Sequence, residues 1–406
     1  MKDKQIEKLI KNESKRQESV INLIASENDI STDVREALGS VFVNKYSEGY
    51  SKARYYGGNE YIDELEDLTK ARALKLFGIS EKAWGINVQP YSGSPANLAV
   101  YFALVPLGAK IMGLELAMGG HLSHGHKVSV TGKVWQQVAY GVDKKTETLD
   151  YDEIRRIAQK EKPAMIVAGF TAYPRVIDFK KFRQIADSTG ALLLVDMSHF
   201  AGLVAGKVYP SPFQYADVVM TTTHKTLRGP RSAIIFSKKE FSEKIDKAVF
   251  PGLQGGPHAN QIAATAVALQ EASTPAFKKY AIQIIKNAKA LSDELVKRGL
   301  RIVSGGTDTH LILVDTQSQG ISGGQASDIL ERTGIIVNKN NIPYDVRSPR
   351  DPSGIRLGTP TVTTRGMREP QMRIIARLID EALNGASARA IQKEVTNLIR
   401  QFPQHK

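Results

Sequence analysis

The sequence predicts an α/β protein in which a mostly parallel β-sheet lies between two layers of helices. From about residue 60 to residue 275, helical patterns alternate with short apolar segments, which is typical of parallel sheets covered on both faces. The chain has 406 residues, more than one ordinary core needs, which favours a second, smaller domain.

The alternation is clearest in the middle of the chain. The predicted elements there are helices at residues 63–77, 151–161 and 179–188 and strands at residues 110–114, 164–170, 191–196 and 218–223. Ligands of such sheets bind beyond the carboxyl ends of the strands, so the residues that follow each strand are the first candidates for a site.

The two ends of the chain have different patterns. In residues 1–22 charged residues alternate with Ile6, Leu9, Ile10 and Val20, which predicts an amphipathic arm that buries its apolar stripe elsewhere, for example against a second subunit. After residue 275 a long helical segment, residues 276–298, precedes short strands and helices. We therefore predict an N-terminal arm (1–22), a large domain (23–275) and a small α+β domain (276–406).

Composition excludes several classes of protein. The chain has no cysteine, so it has neither disulfides nor a cysteine nucleophile. The net charge of +13 favours anionic ligands, but the basic clusters are short and lack interleaved aromatic residues, so no nucleic-acid partner is expected. No apolar run could span a bilayer and no secretory signal is visible, so we expect no membrane association and a cytoplasmic location.

Asp196 ends one predicted buried strand, and Lys225 follows another. Most lysines and aspartates at strand ends are merely solvated or cap turns, so neither residue is diagnostic alone. Together they offer an amine that can attack an aldehyde and an anion for a pyridinium nitrogen, as pyridoxal phosphate requires. The pair predicts a pyridoxal phosphate site.

Two glycine-containing segments are candidates for binding phosphate. Residues 90–97, which include Gly93 and Ser94, open a predicted helix at residues 98–104, and helix starts expose backbone N–H groups to anions. Residues 251–257, which include Gly256, are the second segment.

His121 and His124 lie among glycines in residues 119–125. A zinc site would need a third ligand that this spacing lacks, so no metal site is predicted, and a histidine stacked on an aromatic cofactor ring is the simpler interpretation. His199, three residues after Asp196, could hydrogen-bond a substituent of the same ring.

Two charged residues are candidates for substrate chemistry. Glu48 lies among tyrosines and glycines, which makes it a candidate for proton transfer. Arg356, in a short apolar segment, is a candidate to bind a carboxylate with both arms of its guanidinium group.

Together these segments resemble the serine hydroxymethyltransferases, a family of fold-type I pyridoxal phosphate enzymes. The resemblance runs in the family's order over nearly the whole chain and covers residues 23–28, 44–50, 54–58, 92–97, 119–125, 196–203, 221–231, 250–257 and 354–360. It implies reversible transfer of a one-carbon unit from L-serine to tetrahydrofolate, giving glycine, 5,10-methylenetetrahydrofolate and water. It also implies a homodimer with shared active sites.

The resemblance implies a role for each matching residue. Lys225 would form the imine with the cofactor, and Asp196 would pair with its pyridine nitrogen. His121 would stack on the ring, and His199 and Thr171 would lie near its phenolic oxygen. Gly93 and Ser94 would bind the phosphate, joined by Tyr46 and Gly256 of a neighbouring subunit. For the substrates, Ser26, His199, Arg356 and the neighbour's Tyr56 receive the carboxylate, Glu48 moves protons, and Tyr55, Leu116, Gly120 and Asn338 line the folate site.

Three positions depart from the common family pattern. Ser198 stands where alanine is usual, Ser232 where glycine or alanine is usual, and Thr171 replaces a common serine. A folate-independent aldolase acting on threonine or other 3-hydroxy amino acids and a hydroxymethyltransferase with a modified pterin carrier remain alternatives. A basic nucleic-acid-binding protein would explain the charge but not Lys225, Asp196 and His121.

Overall fold

The computed structural model describes residues 1–404. The helices are α1 Lys4–Glu18, α2 Thr32–Leu38, α3 Glu60–Phe77, α4 Gly93–Leu104, α5 Val130–Val134, α6 Tyr151–Glu161, α7 Phe179–Asp187, α8 Ala201–Ala205, α9 Ser242–Lys247, α10 Ala259–Ala272, α11 Pro275–Lys297, α12 Gly323–Arg332, α13 Pro360–Thr364, α14 Glu369–Leu383 and α15 Ala388–Arg400. The strands are β1 Ile21–Asn22, β2 Gly49–Tyr50, β3 Ala53–Arg54, β4 Trp84–Asn87, β5 Lys110–Leu114, β6 Gln136–Tyr140, β7 Met165–Ala168, β8 Leu192–Asp196, β9 Val218–Thr222, β10 Ala233–Lys238, β11 Arg301–Ile302, β12 Leu311–Asp315, β13 Ile335–Ile336, β14 Asn338–Asn340 and β15 Gly354–Gly358.

The chain divides into two compact units. The large unit is residues 30–282, and the small unit is residues 1–29 together with the chain from Gln283 onward. The predicted division into residues 1–22, 23–275 and 276–406 differs from this one: residues 276–282 belong to the large unit, and residues 1–29 belong to the small unit. For residues 23–29 the physical reason is strand pairing, because β1 pairs in parallel with β13 and the Leu23 N–H donates to the Ile336 carbonyl over 2.9 Å.

The large unit is built around a seven-stranded sheet in the order β4-β10-β9-β8-β7-β5-β6. The pairs β9–β8, β8–β7, β7–β5 and β5–β6 are parallel, and β10 is antiparallel to both of its neighbours. The prediction of a mostly parallel sheet between helices is confirmed.

Both faces of the central part of this sheet are buried, which explains why β7, β8 and β9 are largely apolar. On one face, Leu194 and Val218 belong to a core cluster with Val100 of α4. On the other face, aromatic pairs join sheet and helix: Phe236 of β10 lies 5.4 Å from Phe77 of α3, and Tyr140 of β6 lies 5.9 Å from Phe182 of α7, measured between ring centroids.

The small unit contains a four-stranded antiparallel sheet in the order β11-β12-β15-β14. Its core combines Ile312 and Leu357 of this sheet with Leu330 of α12, Ile375 of α14 and Val395 of α15. This agrees with the α+β character predicted for the C-terminal part.

Helix α1 begins at an Asp3 cap, whose side chain accepts from the N–H groups of Gln5 and Ile6. None of its residues is buried, and Leu9 is 63% exposed. Its burial against a second subunit stays a prediction. Within residues 1–404, no helix combines the length and the apolar character needed to cross a membrane.

Phe182, which is fully buried in the large unit, tests the core. Phe182→Ala should lower the free energy of unfolding by about 3–5 kcal/mol, because it removes transfer free energy and leaves a cavity. The measurement is the urea midpoint followed by circular dichroism. Val346→Ala is the control, since Val346 is 94% exposed and its truncation should leave the midpoint unchanged; equal midpoint shifts in the two variants would contradict this account of the core.

Candidate active site

Four neighbouring strands of the large unit bring sequence-predicted residues to one edge of the sheet. His121, Thr171, Asp196 and Lys225 lie at or beyond the carboxyl ends of β5, β7, β8 and β9. These strands are adjacent and parallel, so their carboxyl ends share an edge. The Thr171 N–H also donates to the Gly119 carbonyl over 2.8 Å, which joins the segments after β7 and β5.

Asp196 is buried and has three hydrogen-bond partners. Its Oδ2 accepts from His124 Nε2 over 3.0 Å and from Asn97 Nδ2 over 3.2 Å, and its Oδ1 accepts from the Ser198 N–H over 3.1 Å. Burial alone would raise the pKa of Asp196, but the hydrogen bond and charge of His124 and the charge of Lys225 hold it well below its ordinary value. Asp196 is therefore an anion at neutral pH.

His124 and Asn97 are two site residues to which sequence reasoning gave no role. Both lie in segments singled out from the sequence, residues 119–125 and 90–97. The available signal was that each side chain lies among small residues of a segment already chosen as a candidate for binding the cofactor, and a polar side chain that becomes buried there requires a partner.

His121 belongs to the same hydrogen-bonded network. Its Nδ1 lies 2.7 Å from Ser123 Oγ, which also accepts from Asn97 Nδ2 over 2.8 Å. Asn97 also donates to Asp196. His121, predicted to stack on the cofactor ring, is therefore linked through the Ser123 hydroxyl and the Asn97 amide to Asp196, predicted to pair with the ring nitrogen.

The turn that carries Lys225 is held by its neighbour Thr226. The Thr226 hydroxyl donates to the His199 carbonyl over 2.9 Å and accepts from the Gly202 N–H over 3.0 Å, which ties this turn to the segment after β8. His224, the residue before Lys225, is largely buried. Burial, with the charges of Lys225 and Arg231, lowers the pKa of His224 to about 3, so its imidazole is neutral at neutral pH.

Helix α4 begins directly beside the end of β9. A Cβ atom on Gly93 would lie 2.7 Å from Thr222 Cγ2, so only glycine allows this approach. The N–H groups of Gly93 and Ser94 have no acceptor within the helix because they belong to its first turn. The sheet edge therefore gains a helix start suited to binding an anion.

Two departures from the family pattern have structural roles near this edge. Ser198 Oγ accepts from the Thr222 N–H over 2.9 Å, which joins the ends of β8 and β9. Ser232 Oγ donates to the Pro90 carbonyl over 3.3 Å, which joins β10 to the segment before α4. Both hydroxyls therefore stabilise the framework of the site.

A second group of predicted residues surrounds the β2–β3 hairpin. Glu48 and Tyr46 pack against the second glycine-rich segment: Glu48 Oε1 lies 3.1 Å from the position a Cβ atom would take on Gly255, and the Tyr46 ring lies 3.6 Å from that position on Gly256. The negative charge of Glu48 is the main cause that raises the pKa of Tyr46. Tyr56 stands edge-on to Tyr46, with ring centroids 5.1 Å apart.

Tyr91 and Gln254 join this group to the start of α4. The Tyr91 N–H donates to Gln254 Oε1 over 3.1 Å, and the Tyr91 hydroxyl donates to the Gly256 carbonyl over 2.9 Å. The two glycine-containing segments predicted to bind phosphate are therefore in contact. Neither Tyr91 nor Gln254 was assigned a role from sequence.

In the small unit, Arg356 is buried on β15 and its Nε donates to Asn338 Oδ1 of β14 over 3.1 Å. Burial lowers the pKa of Arg356 to about 10, which leaves the guanidinium protonated at neutral pH. Ser26 follows Ala25, whose Cα lies 2.3 Å from the position a Cβ atom would take on Gly358. Close packing at this glycine holds the Ser26 segment beside the end of the strand that carries Arg356.

The residues predicted to line a folate site are distributed over both units. Leu116 and Gly120 follow β5 in the segment that leads to His121, and Tyr55 lies 5.8 Å from Phe250, centroid to centroid. Asn338 lies on β14 of the small unit, where its Oδ1 accepts a hydrogen bond from Arg356 Nε. Their role in binding folate stays a prediction.

His224 gives a prediction for pH. In the unfolded chain a histidine has a pKa of about 6.5, whereas the pKa of His224 in the folded protein is about 3, so only the unfolded state binds this proton between those values. The contribution of His224 therefore makes the protein less stable as the pH falls from about 6.5 towards 3. Urea midpoints measured across this range should fall less steeply in His224→Asn than in the unsubstituted protein, and equal slopes would contradict the assignment.

Comparison with known proteins identifies the family. The family model described as serine hydroxymethyltransferase matches residues 1–379. Proteins named serine hydroxymethyltransferase are similar to this chain: that of Desulfotalea psychrophila is 52% identical over 99% of this chain and 94% of its own length, and that of Acidobacterium capsulatum is 53% identical over the same shares. A third, from Koribacter versatilis, is 55% identical over 94% of this chain and 88% of its own length. The chain belongs to the serine hydroxymethyltransferase family.

Proposed function

We propose that this chain catalyses the reversible transfer of the hydroxymethyl group of L-serine to tetrahydrofolate, giving glycine, 5,10-methylenetetrahydrofolate and water. Family membership supports this activity. The observation that carries the proposal is the single sheet edge at which Lys225, Asp196, His121 and Thr171 meet beside the start of α4.

The residues at this edge fit pyridoxal phosphate. The close approach of Gly93 to Thr222 brings the first N–H groups of α4 to the sheet edge, where they suit a phosphate. Tyr46 and Gly256, from a neighbouring subunit, would complete that phosphate site. Asp196 is a buried anion, as a pyridinium nitrogen requires, and His121 is held by Ser123 beside it.

Pyridoxal phosphate, when bound, supplies an aldehyde for an amine and a protonated ring that can take up an electron pair released at the substrate Cα. Lys225 is the amine that would hold it covalently. Asp196 would keep a proton on the pyridine nitrogen, because an anion stabilised by His124 and Asn97 favours the charged ring. Thr171 and His199 would hydrogen-bond the phenolic oxygen.

Arg356 is the residue that would bind and orient the amino-acid carboxylate, with Ser26, His199 and the neighbour's Tyr56. Its guanidinium is buried, so an ion pair formed there would be stronger than one in water. A carboxylate fixed at this point controls which bond at Cα stands ready to break.

Glu48 would move protons at the substrate hydroxymethyl group and at the folate. It is half-buried against Gly255, where water is partly excluded while the carboxylate stays accessible. Tyr55, Leu116, Gly120 and Asn338 would line the folate site.

A homodimer with shared active sites belongs to this proposal. It is supported by a short segment around Glu48 that exposes many apolar side chains: Val41 79%, Val43 61%, Tyr46 56%, Tyr55 75%, Tyr56 49% and Tyr61 68%. Exposed apolar patches of this kind mark protein interfaces. The cytoplasmic location predicted from the sequence is kept in the proposal.

Lys225→Ala should lower the turnover of serine in the presence of tetrahydrofolate by roughly a thousandfold or more, since it removes the covalent catalyst. The purified protein should absorb in the imine band, whereas in the variant such a band could come only from cofactor trapped as an imine with a free amino acid. Lys278→Ala, at an exposed lysine of α11, is the control and should keep both properties. Serine turnover in Lys225→Ala equal to that of the control would refute the role of Lys225.

Glu48→Gln should impair folate-dependent cleavage of serine by about 10²–10⁴-fold, the usual contribution of a proton-transfer group. Folate-independent cleavage of a bulky 3-hydroxy amino acid such as 3-phenylserine should fall much less, because Lys225, Asp196 and Arg356 remain. Steady-state kinetics with both substrates measures the difference. Equal losses in the two reactions would show that Glu48 maintains the structure of the site and does not transfer protons.

A further inference from the structure

A buried polar cluster lies beneath the β2–β3 hairpin that carries Glu48. Its centre is Arg54 on β3, whose side chain is only 4% exposed. Glu66, on α3, is fully buried, and Gln89, just after β4, is also buried. None of these three residues has a part in the mechanism described above.

One guanidinium binds the carbonyl groups of the residues before and after Glu48. Arg54 Nη1 donates to the Ser47 carbonyl over 3.0 Å and to the Gly49 carbonyl over 2.7 Å. Gln89 Nε2 donates to the same Gly49 carbonyl over 2.9 Å. These bonds hold the peptide group before Glu48 and the one after Gly49, so they restrict the backbone path at Glu48 and the direction of its Cα–Cβ bond.

The backbone at Gly49 adds a further constraint. Gly49 has φ +95°, and a Cβ atom there would lie 2.2 Å from the Ala53 carbonyl oxygen. The chain after Glu48 can therefore follow this path only with glycine at position 49, and the polar cluster holds it on that path.

Two carboxylates hold Arg54 in place. Arg54 Nη2 forms an ion pair with Glu66 Oε1 at 2.9 Å, and Arg54 Nε donates to Asp63 Oδ1 over 2.8 Å. Glu66 Oε1 also accepts from Gln89 Nε2 over 3.0 Å. Burial raises the pKa of Glu66, opposed by the charges of Arg54 and Lys70, so keeping this carboxylate in the interior costs stability.

We propose that Arg54, Glu66 and Gln89 are positioning residues that hold the Glu48 carboxylate where it transfers protons. The proposal rests on the function proposed above. The carboxylate lies several bonds from the clamped carbonyls, so a small rotation of either peptide group moves it appreciably. A misplacement of about 1 Å can cost a reaction on the order of a hundredfold in rate.

The test uses two variants and a matched control in the full-length holoenzyme. Arg54→Lys keeps the positive charge but cannot hold two carbonyls and two carboxylates in one plane. Glu66→Gln keeps the shape of the side chain and removes the charge that orients Arg54. Thr69→Val is the control: Thr69 is fully buried on the same helix, and its hydroxyl bonds to the Leu65 carbonyl rather than to the hairpin.

Three measurements separate positioning from a general loss of structure. Folate-dependent turnover of serine should fall by roughly tenfold to a hundredfold in Arg54→Lys and Glu66→Gln, whereas folate-independent cleavage of 3-phenylserine should change by less than about threefold. Amide hydrogen exchange of residues 47–55, measured without substrate, should become faster in both variants and not in Thr69→Val. Added to Glu48→Gln, either substitution should cause no further loss, because residues that act through one group are not additive.

The outcomes distinguish this proposal from the one on which it rests. If the unsubstituted protein has no folate-dependent turnover, the proposed function fails. If it turns over and Glu48→Gln impairs it while Arg54→Lys and Glu66→Gln match Thr69→Val, the proposed function stands and the positioning role is overturned. Equal losses in both reactions, or full additivity with Glu48→Gln, would also overturn that role. Glu66→Gln decides alone if Arg54→Lys folds poorly.

Discussion

The hydrogen bonding of the buried Asp196 carboxylate is the interaction on which the rest of the site depends. A charge in the interior must be matched by hydrogen bonds, and the partners of Asp196 come from separate parts of the large unit: His124 from the segment after β5 and Asn97 from α4. Ser198, which bonds to Asp196 through its N–H, bonds to β9 through its hydroxyl. One buried anion thus links the elements that carry His121, Lys225, Gly93 and Ser94.

Close approach at glycines is the second constraint, and it acts at both ends of the site. Gly93 lets α4 begin against Thr222, and Gly255 leaves room for the Glu48 carboxylate. In the first case a Cβ atom would meet the Thr222 side chain, and in the second it would crowd the Glu48 carboxylate, which the proposed chemistry needs there. These glycines serve the site by removing volume, whereas Gly49 serves it through its backbone conformation.

The polar contacts of the large unit form a nearly continuous path across the candidate site. Glu66 and Asp63 hold Arg54, and Arg54 and Gln89 bind backbone carbonyls next to Glu48. Glu48 packs on the glycine segment that Tyr91 and Gln254 tie to the start of α4. Proton-transfer and phosphate-binding groups are therefore built on connected supports. Rigid support of this kind is what precise catalytic geometry requires.

The sequence by itself determined the alternation of helices and strands, because burial on both faces of a parallel sheet demands apolar strands whose ends are easily recognised. It also determined which residues stand at the strand ends, including Lys225 and Asp196, and the family to which the chain belongs.

Only the tertiary structure decided which residues these side chains contact. The bonds of Asp196 to His124 and Asn97, the grouping of residues 23–29 with the C-terminal part through β1 and β13, and the ion pair of Arg54 with Glu66 each join residues far apart in the chain. Such pairings depend on how the elements pack in three dimensions, and no local pattern of residue types encodes them.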